Sequence, residues 1–136
     1  MRGVLAYAPD ANPRRRSVPG LKPDYALFQG GALVRFLDAK YRDIWDRGCP
    51  TEWLYQLSMY ALASPGRVSV LLYASMAESA SDERVNVRPL LPLSGSALAS
   101  VILRPVELAR LAELVAPDPA DRLAAERQRF ADRLAS

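Results

Sequence analysis

Two apolar runs, Asp24 to Gln29 and Leu33 to Lys40, meet at Gly30-Gly31, and this break constrains the fold more than any other stretch of the chain. Short apolar runs joined by glycines read as a β-hairpin, because glycine readily adopts the positive φ that tight hairpin turns need. Side chains alternate along a strand, so Asp38 and Lys40 project from one face. Setting Asp24 across the hairpin from Asp38 requires a three-residue loop, Gly30 to Ala32. A two-residue Gly-Gly loop would pair Asp24 with Leu37 and place the two aspartates on opposite faces. The expected hairpin therefore has the longer loop and gathers Asp24, Asp38 and Lys40 on one surface.

Elements of both types surround the hairpin. Val4 to Ala8 reads as a short first strand, and Asn12 to Gly20, with two prolines and Arg14-Arg15-Arg16, as an exposed loop. Trp53, Leu54, Leu57 and Ala61 recur at helical spacing within Thr51 to Ala63, with Thr51 the expected N-cap and Ser64-Pro65-Gly66 the stop. Val68 to Tyr73 is β-branched and apolar, a central strand; Ala74 to Glu83 reads as a loop, and Val85 to Leu91 and Ala99 to Leu103 as further strands. Pro105 to Val115 reads as an amphipathic helix with proline at its first position, and Pro119 to Leu134 as a second, more charged one. The expected fold is a single α/β domain over residues 1–136 with a mixed sheet flanked by helices, its informative region at 21–73 and its C-terminal helices at 105–115 and 119–134.

Composition removes whole classes of chemistry. There is no histidine and one cysteine, Cys49. Ser-His and Cys-His catalysis, histidine zinc sites and cysteine zinc clusters are excluded, and so is an intrachain disulfide. Cys49 reads as a small loop residue rather than a nucleophile. Catalysis must run on carboxylates, lysine or a bound metal. No apolar run is long enough to span a bilayer, and the first residues break at Pro9-Asp10 before a signal peptide forms, so the expected compartment is the cytoplasm. A net charge of +3 says little about nucleic acid by itself.

The chemistry is concentrated between Lys22 and Leu62. Two convergent carboxylates repel unless a cation lies between them, and hard oxygen ligands favour Mg²⁺ or Mn²⁺. The carbonyl of Ala39 is the candidate third ligand. Such a metal polarises a scissile phosphate and acidifies a bound water, while Lys40 orients that water or stabilises the charge developing on the phosphate. Glu52, Gln56 and Tyr60 follow at helical spacing as one polar stripe, with Gln56 placed to hydrogen-bond a metal water or a phosphate and Tyr60 to support it.

Pro-Asp24, thirteen intervening residues, Asp38-Ala-Lys40 and then Gln56-x-x-x-Tyr60 together resemble the RecB-like branch of the PD-(D/E)XK nuclease superfamily. Within it, Asp38-Ala-Lys40-Tyr41-Arg42 followed by Tyr55-Gln56-Leu57 and Tyr60-Ala61 is most similar to the McrC nucleases of modification-dependent restriction systems. The resemblance covers roughly residues 21 to 73, including Leu71-Leu72-Tyr73. It implies a restriction-endonuclease-like core, Mg²⁺-dependent hydrolysis of DNA, and an McrB-like AAA+ GTPase as partner. It also implies Asp24 and Asp38 as metal ligands, Lys40 as catalytic, and Gln56 and Tyr60 as an accessory motif. Cutting both strands of a duplex needs two active sites, for which a homodimer is the simplest arrangement. Family members usually carry an acid on a helix upstream of the first strand, whereas here Asp10 alone precedes Asp24.

Two rival readings make different demands on the structure. A nuclease-fold module that binds or assembles with an AAA+ motor without cutting is favoured by the missing upstream acid. An unrelated β-rich scaffold with a chance motif would place Asp24, Asp38 and Lys40 on different faces. Trp53, Leu57, Leu71 and Leu72 read as core, as does Phe36, which shares a face with Val34 and Asp38. Arg35 then shares the opposite face with Leu37 and Ala39, toward packed helices, and is expected at the strand's exposed start. Trp45 is expected over the sheet edge rather than stacked on a base. The mixed charges of the last helix read as a solvated face.

Overall fold

The hairpin forms around Gly30-Gly31 in the computed structural model, which describes residues 4–16, 20–90 and 96–136. β1 (Tyr25–Gln29) and β2 (Ala32–Lys40) pair antiparallel. The loop is the two-residue one: Gln29 pairs with Ala32, and both glycines sit at positive φ, 58° and 81°. That is the primed turn whose twist matches the flanking strands, which is why it displaces the expected three-residue loop. The register that the site needs is reached by another route. Phe28 pairs with Leu33 but Leu27 pairs with Arg35, so Val34 is an extra residue in β2, a β-bulge. From there Ala26 lies opposite Phe36 and Tyr25 opposite Leu37. The next step along the same register sets Asp24 opposite Asp38.

After β2 the chain crosses over through α1 (Thr51–Ala63) and returns as β3 (Val68–Ser75), parallel to β2. β4 (Glu83–Val87) follows, then β5 (Ala99–Glu107), which inserts between β3 and β4, parallel to the first and antiparallel to the second. α2 (Leu108–Val115) and α3 (Ala124–Ala135) close the chain. Among the described residues this is a five-stranded mixed sheet of order β1-β2-β3-β5-β4 with three α-helices, an α/β fold.

The two faces of the sheet differ in chemistry. Phe36, Asp38 and Lys40 face α1; the register pairs them with Ser69, Leu71 and Tyr73 of β3, and those with Val101, Leu103 and Pro105 of β5. Leu57 and Tyr60 of α1 pack onto Phe36, Leu71, Val101 and Leu103, all buried, and Trp53, Leu54 and Trp45 close the margin. Each fully buried leucine or aromatic there contributes on the order of 2 kcal/mol. A buried hydrogen bond from Ser69 Oγ to the Leu57 carbonyl, 2.7 Å, fixes the height of α1 over the sheet. The opposite face carries Leu37, Val70, Ile102 and the two arginines Arg35 and Arg104.

Those arginines dock α3. Arg104, buried in β5, donates to the carbonyls of Arg133 and Leu134 at 2.7 and 3.1 Å and to Asp82 Oδ2 at 2.9 Å. Arg35 donates to the Ser136 carbonyl. Positive guanidinium groups at a helix C-terminus satisfy its orphan carbonyls and oppose the negative end of its dipole. Arg35 and Arg104 therefore hold the C-terminal end of α3, while its charged residues, none of them buried, form the solvated face expected of them.

Several expected boundaries move, each for a physical reason. Val4 to Ala8 is irregular, joined to the domain by the Val4 N–H to the Leu21 carbonyl, and a 3-10 turn at Pro9–Ala11 ends the segment. α1 starts at Thr51 as expected, but Pro50 is its cap and no side chain bonds the first turn, so Thr51 is helical rather than the N-cap. β4 stops at Val87, before Pro89; the remainder of the expected Val85 to Leu91 strand ends in Leu91, which lies outside the described residues. Pro105 is in β5 and not at the head of α2. It lies past the last β4 pair, Glu83 with Leu103, where that flank of β5 is an open edge and a missing N–H costs nothing. α3 starts at Ala124 because Asp121 takes a positive φ of 51° and the Leu123 N–H is captured by Asp118. No helix among the described residues is long and apolar enough to cross a membrane.

Candidate functional site

β1 ends its pairing at Tyr25 while β2 runs on to Lys40, so the last residues of β2 have an unpaired edge. Asp24 fills it. Its Oδ2 accepts a hydrogen bond from the Ala39 N–H at 2.9 Å, a side chain standing where a backbone partner would otherwise continue the ladder. Asp38 is 2 % exposed, and its carboxylate meets the Lys40 ammonium at 2.6 Å. The Asp24 carboxylate adjoins that of Asp38 closely enough to perturb its ionisation. Asp24, Asp38 and Lys40 thus come together at one sheet edge instead of lying on different faces.

α1 completes the surroundings. Its stripe turns inward from exposed Glu52 through half-buried Gln56 to fully buried Tyr60. The Gln56 amide donates to the Tyr60 hydroxyl at 2.7 Å, and the Tyr60 ring packs on Phe36 with centroids 6.3 Å apart. Trp53, one turn earlier, lies under the Lys40 ammonium, 5.8 Å from ring centroid to Nζ, a cation–π contact. Asp24, Asp38, Ala39, Lys40, Gln56 and Tyr60 thus form one neighbourhood, with Trp53 as a member that the sequence assigned to core alone. Helical spacing gives the signal for Trp53 in retrospect, since it precedes Gln56 by one turn. Trp45 packs against the core margin, and Cys49 is a half-buried loop residue whose thiol is pushed upward in pKa by burial, as expected of a non-nucleophile.

The electrostatics follow from unequal burial. Desolvation pushes the Asp38 carboxyl above its ordinary range; the Lys40 hydrogen bond and charge pull it back, and the neighbouring Asp24 adds to the rise. Lys40 is raised as well, chiefly by its bond to Asp38, and its own burial opposes this. The two shifts are consistent: the cost of removing charge from water falls on deeply buried Asp38, while half-exposed Lys40 gains from the pair. The Tyr60 phenol is raised first by burial and then by the charge of Asp38, against the Gln56 bond. Among the described residues no three His, Cys, Asp or Glu side chains cluster into a metal cage, so the acidic donors here are the two aspartates.

Asp43 is the residue that sequence reading missed. Its Oδ1 accepts the Trp45 N–H at 2.9 Å, and its Oδ2 accepts Ser75 Oγ at 2.9 Å and the Met76 N–H at 3.3 Å. It clamps the loop leaving Lys40 onto the end of β3. The signal available was the Asp-x-Trp spacing of an Asx turn. These bonds, the Trp45 N–H first, hold its carboxyl below the ordinary value. A lowered acid stabilises the fold above its unfolded pKa and loses that contribution as pH falls through the lowered one. Asp43→Asn is therefore expected to cost about 1 kcal/mol or less near neutrality, because the exposed carboxylate is screened. The gap from wild type in thermal unfolding should close as pH is taken below the ordinary carboxylate range. A gap that persisted there would assign the loss to geometry instead of charge.

No family model, curated protein or solved structure matches the chain. The functional reading therefore stands on this geometry together with the motif resemblance.

Proposed function

We propose that the chain is a restriction-endonuclease-like domain that hydrolyses phosphodiester bonds in DNA with Mg²⁺ or Mn²⁺, a McrC-like component of a restriction or defence system. The observation that carries the reading is the convergence of Asp24, Asp38 and Lys40 on one face of the sheet edge beside the Gln56–Tyr60 pair. The antiparallel hairpin and the parallel crossover through α1 bring these groups to one edge, which supports the reading.

The donor set fits a small hard cation. Mg²⁺ is usually held by one or two carboxylates and keeps several waters, so two aspartates suffice where a cage-forming cation would need more. Asp24 and Asp38 would bind it, with the Ala39 carbonyl as third ligand. The metal, when bound, would supply a polarised phosphate and an acidified water. Asp38 holds Lys40 in place through the ion pair, and the Lys40 ammonium presents a proton and a positive charge toward a phosphate seated at the edge. Gln56, held by Tyr60, offers its remaining amide hydrogen-bonding capacity to a phosphate oxygen or a water. Burial of Asp38 keeps bulk water from competing for these contacts. An McrB-like AAA+ GTPase as partner and a homodimer with paired sites belong to the same proposal.

One observation favours a second reading, a nuclease-fold module that binds or assembles with an AAA+ motor without cutting. The described residues hold no third acidic side chain at the site, and Lys40 itself supplies a cation to Asp38. Calorimetric titration of Mn²⁺ into the folded chain separates the two. Saturable heat at one class of site is expected for the nuclease. A folded chain that takes up no Mn²⁺ overturns it in favour of the module.

A further inference from the structure

The Arg14-Arg15-Arg16 triplet has no part in the site described above, yet it is held in a defined shape. Asn12 closes the loop from both sides: its Oδ1 accepts the Arg16 N–H at 2.9 Å and its Nδ2 donates to the Arg16 carbonyl at 3.0 Å. A backbone bond from the Arg15 N–H to the Asn12 carbonyl, 2.9 Å, tightens the turn, and Arg15 takes a positive φ of 47°. Positive φ is unfavourable for a long side chain, so the loop presents the arginines at a conformational cost. Tyr7, Asn12, Arg14 and Arg16 line a cleft of about 210 Å³.

Among the described residues several single arginines, Arg42, Arg47, Arg67, Arg84 and Arg88 among them, also lack an ion pair, but this loop carries three in succession, in contrast to the paired arginines of β5 and the C-terminal helices. Arg104 pairs with Asp82, Arg110 with Glu113 and Glu126, and Arg127 with Asp118 and Asp121. Arg14, Arg15 and Arg16 are exposed and make no ion pair among the described residues. Residues 1–3, 17–19 and 91–95 carry no side-chain carboxylate that would change this. Asp10 is the one acid before Asp24, and it lies outside ion-pair distance of the triplet. Three unneutralised guanidinium groups on one loop match a polyanion that presents phosphates in series.

Position adds the second argument. The loop is anchored where the Val4 N–H meets the Leu21 carbonyl at 3.3 Å, and both side chains pack on the core. Leu21 is three residues before Asp24, a chain reach of about 10 Å. Val4 and Leu21, the anchored ends of the segment that carries the loop, therefore stand within that reach of the acidic edge.

We propose that the Asn12–Arg16 loop is a second contact for DNA, gripping backbone phosphates a few nucleotides from the one at the Asp24–Asp38 edge. This ligand assignment rests on the nuclease reading, but binding needs neither metal nor cleavage and is testable apart from them. The loop carries affinity and register, with no sequence information.

The test is fluorescence anisotropy with a labelled duplex of about 20 base pairs in EDTA, between roughly 50 and 200 mM salt. The wild type is compared with Arg14→Ala/Arg15→Ala/Arg16→Ala and with the matching triple lysine variant. Each lost phosphate contact lowers the slope of log affinity against log salt by about 0.9. The alanine variant is expected to lose about 2 to 3 from that slope and roughly 10- to 100-fold in affinity, while the lysine variant keeps most of both. An unchanged slope in the folded alanine variant overturns the proposal, as does a wild type that binds no duplex. A loop that grips DNA on a chain that takes up no Mn²⁺ would keep this assignment and sink the nuclease instead.

Discussion

Asp38→Asn is expected to abolish Mn²⁺ uptake, slow DNA cleavage on the order of a thousandfold or more, and yet raise the melting temperature at neutral pH. The loss follows from chemistry. Asparagine keeps the size of the side chain but brings no negative charge to a hard cation, and Asp24 alone is a single carboxylate. Lys40 loses the partner that fixes it at 2.6 Å, so positioning fails together with charge. The gain follows from burial. The folded chain holds a proton on Asp38 more tightly than the unfolded chain does, because desolvation raises the carboxyl from its ordinary 3.8. Stability is therefore lost as pH climbs from that value through the raised one, and above it the fold carries an ionised group it disfavours.

A neutral isostere removes that penalty, at the expense of the Lys40 pair. Calorimetric melts in EDTA at pH 7 and at pH 4 read the balance. The variant should melt higher than wild type at pH 7, and the advantage should shrink at pH 4, where the wild-type Asp38 carboxyl takes up its proton. A variant that melts lower at pH 7 would mean that the ion pair outweighs desolvation. A variant that still cleaves at the wild-type rate would overturn the proposed function. Trading stability for a charged cluster is what functional sites commonly do.

The part of the site legible in sequence was its local part. Strand alternation puts Asp38 and Lys40 on one face whatever the rest of the chain does, and α-helical spacing puts Gln56 beside Tyr60. Asp24 opposite Asp38 was legible as a requirement but not as a mechanism. The glycine pair satisfies the twist of a two-residue turn, and the register is then restored by Val34 bulging out of β2. A bulge is chosen by tertiary packing, here Leu33 and Phe36 both against the α1 core, and such a choice has no short-range signature.

The misreadings are long-range for the same reason. Pro105 reads as a helix start on its neighbours alone, and only the early end of β4 makes it acceptable in a strand. Arg35 looks like an exposed strand residue until the end of α3 supplies a carbonyl for it from about a hundred residues away, and Arg104, which carried no reading at all, finds its carbonyls about thirty residues away. Asp43 depends on the end of β3 arriving beside it. In each case the decisive partner is set by topology, which no local window contains.

Leu71→Ala tests how far the acidic edge depends on the core beneath it. Leu71 is fully buried, pairs with Asp38 on one side and Leu103 on the other, and belongs to the cluster under α1. Truncation there removes buried methyl groups and leaves a cavity in the middle strand, where neighbours tied into β2 and β5 have little room to relax. The expected cost is about 3 kcal/mol, lowering the melting temperature by roughly 10 °C. Leu71→Met, which keeps the volume, should cost less than about 1.5 kcal/mol. Leu90→Ala, at a side chain 81 % exposed, should leave the melt unchanged. If Asp38 and Lys40 are positioned by this strand, Leu71→Ala should also weaken Mn²⁺ binding while the chain is still folded, at a temperature well below its melt. Weakened binding in a folded Leu71→Ala would tie the site to the core, whereas wild-type Mn²⁺ affinity would show that the edge is held by the Asp24–Ala39 bond and the Asp43 clamp alone.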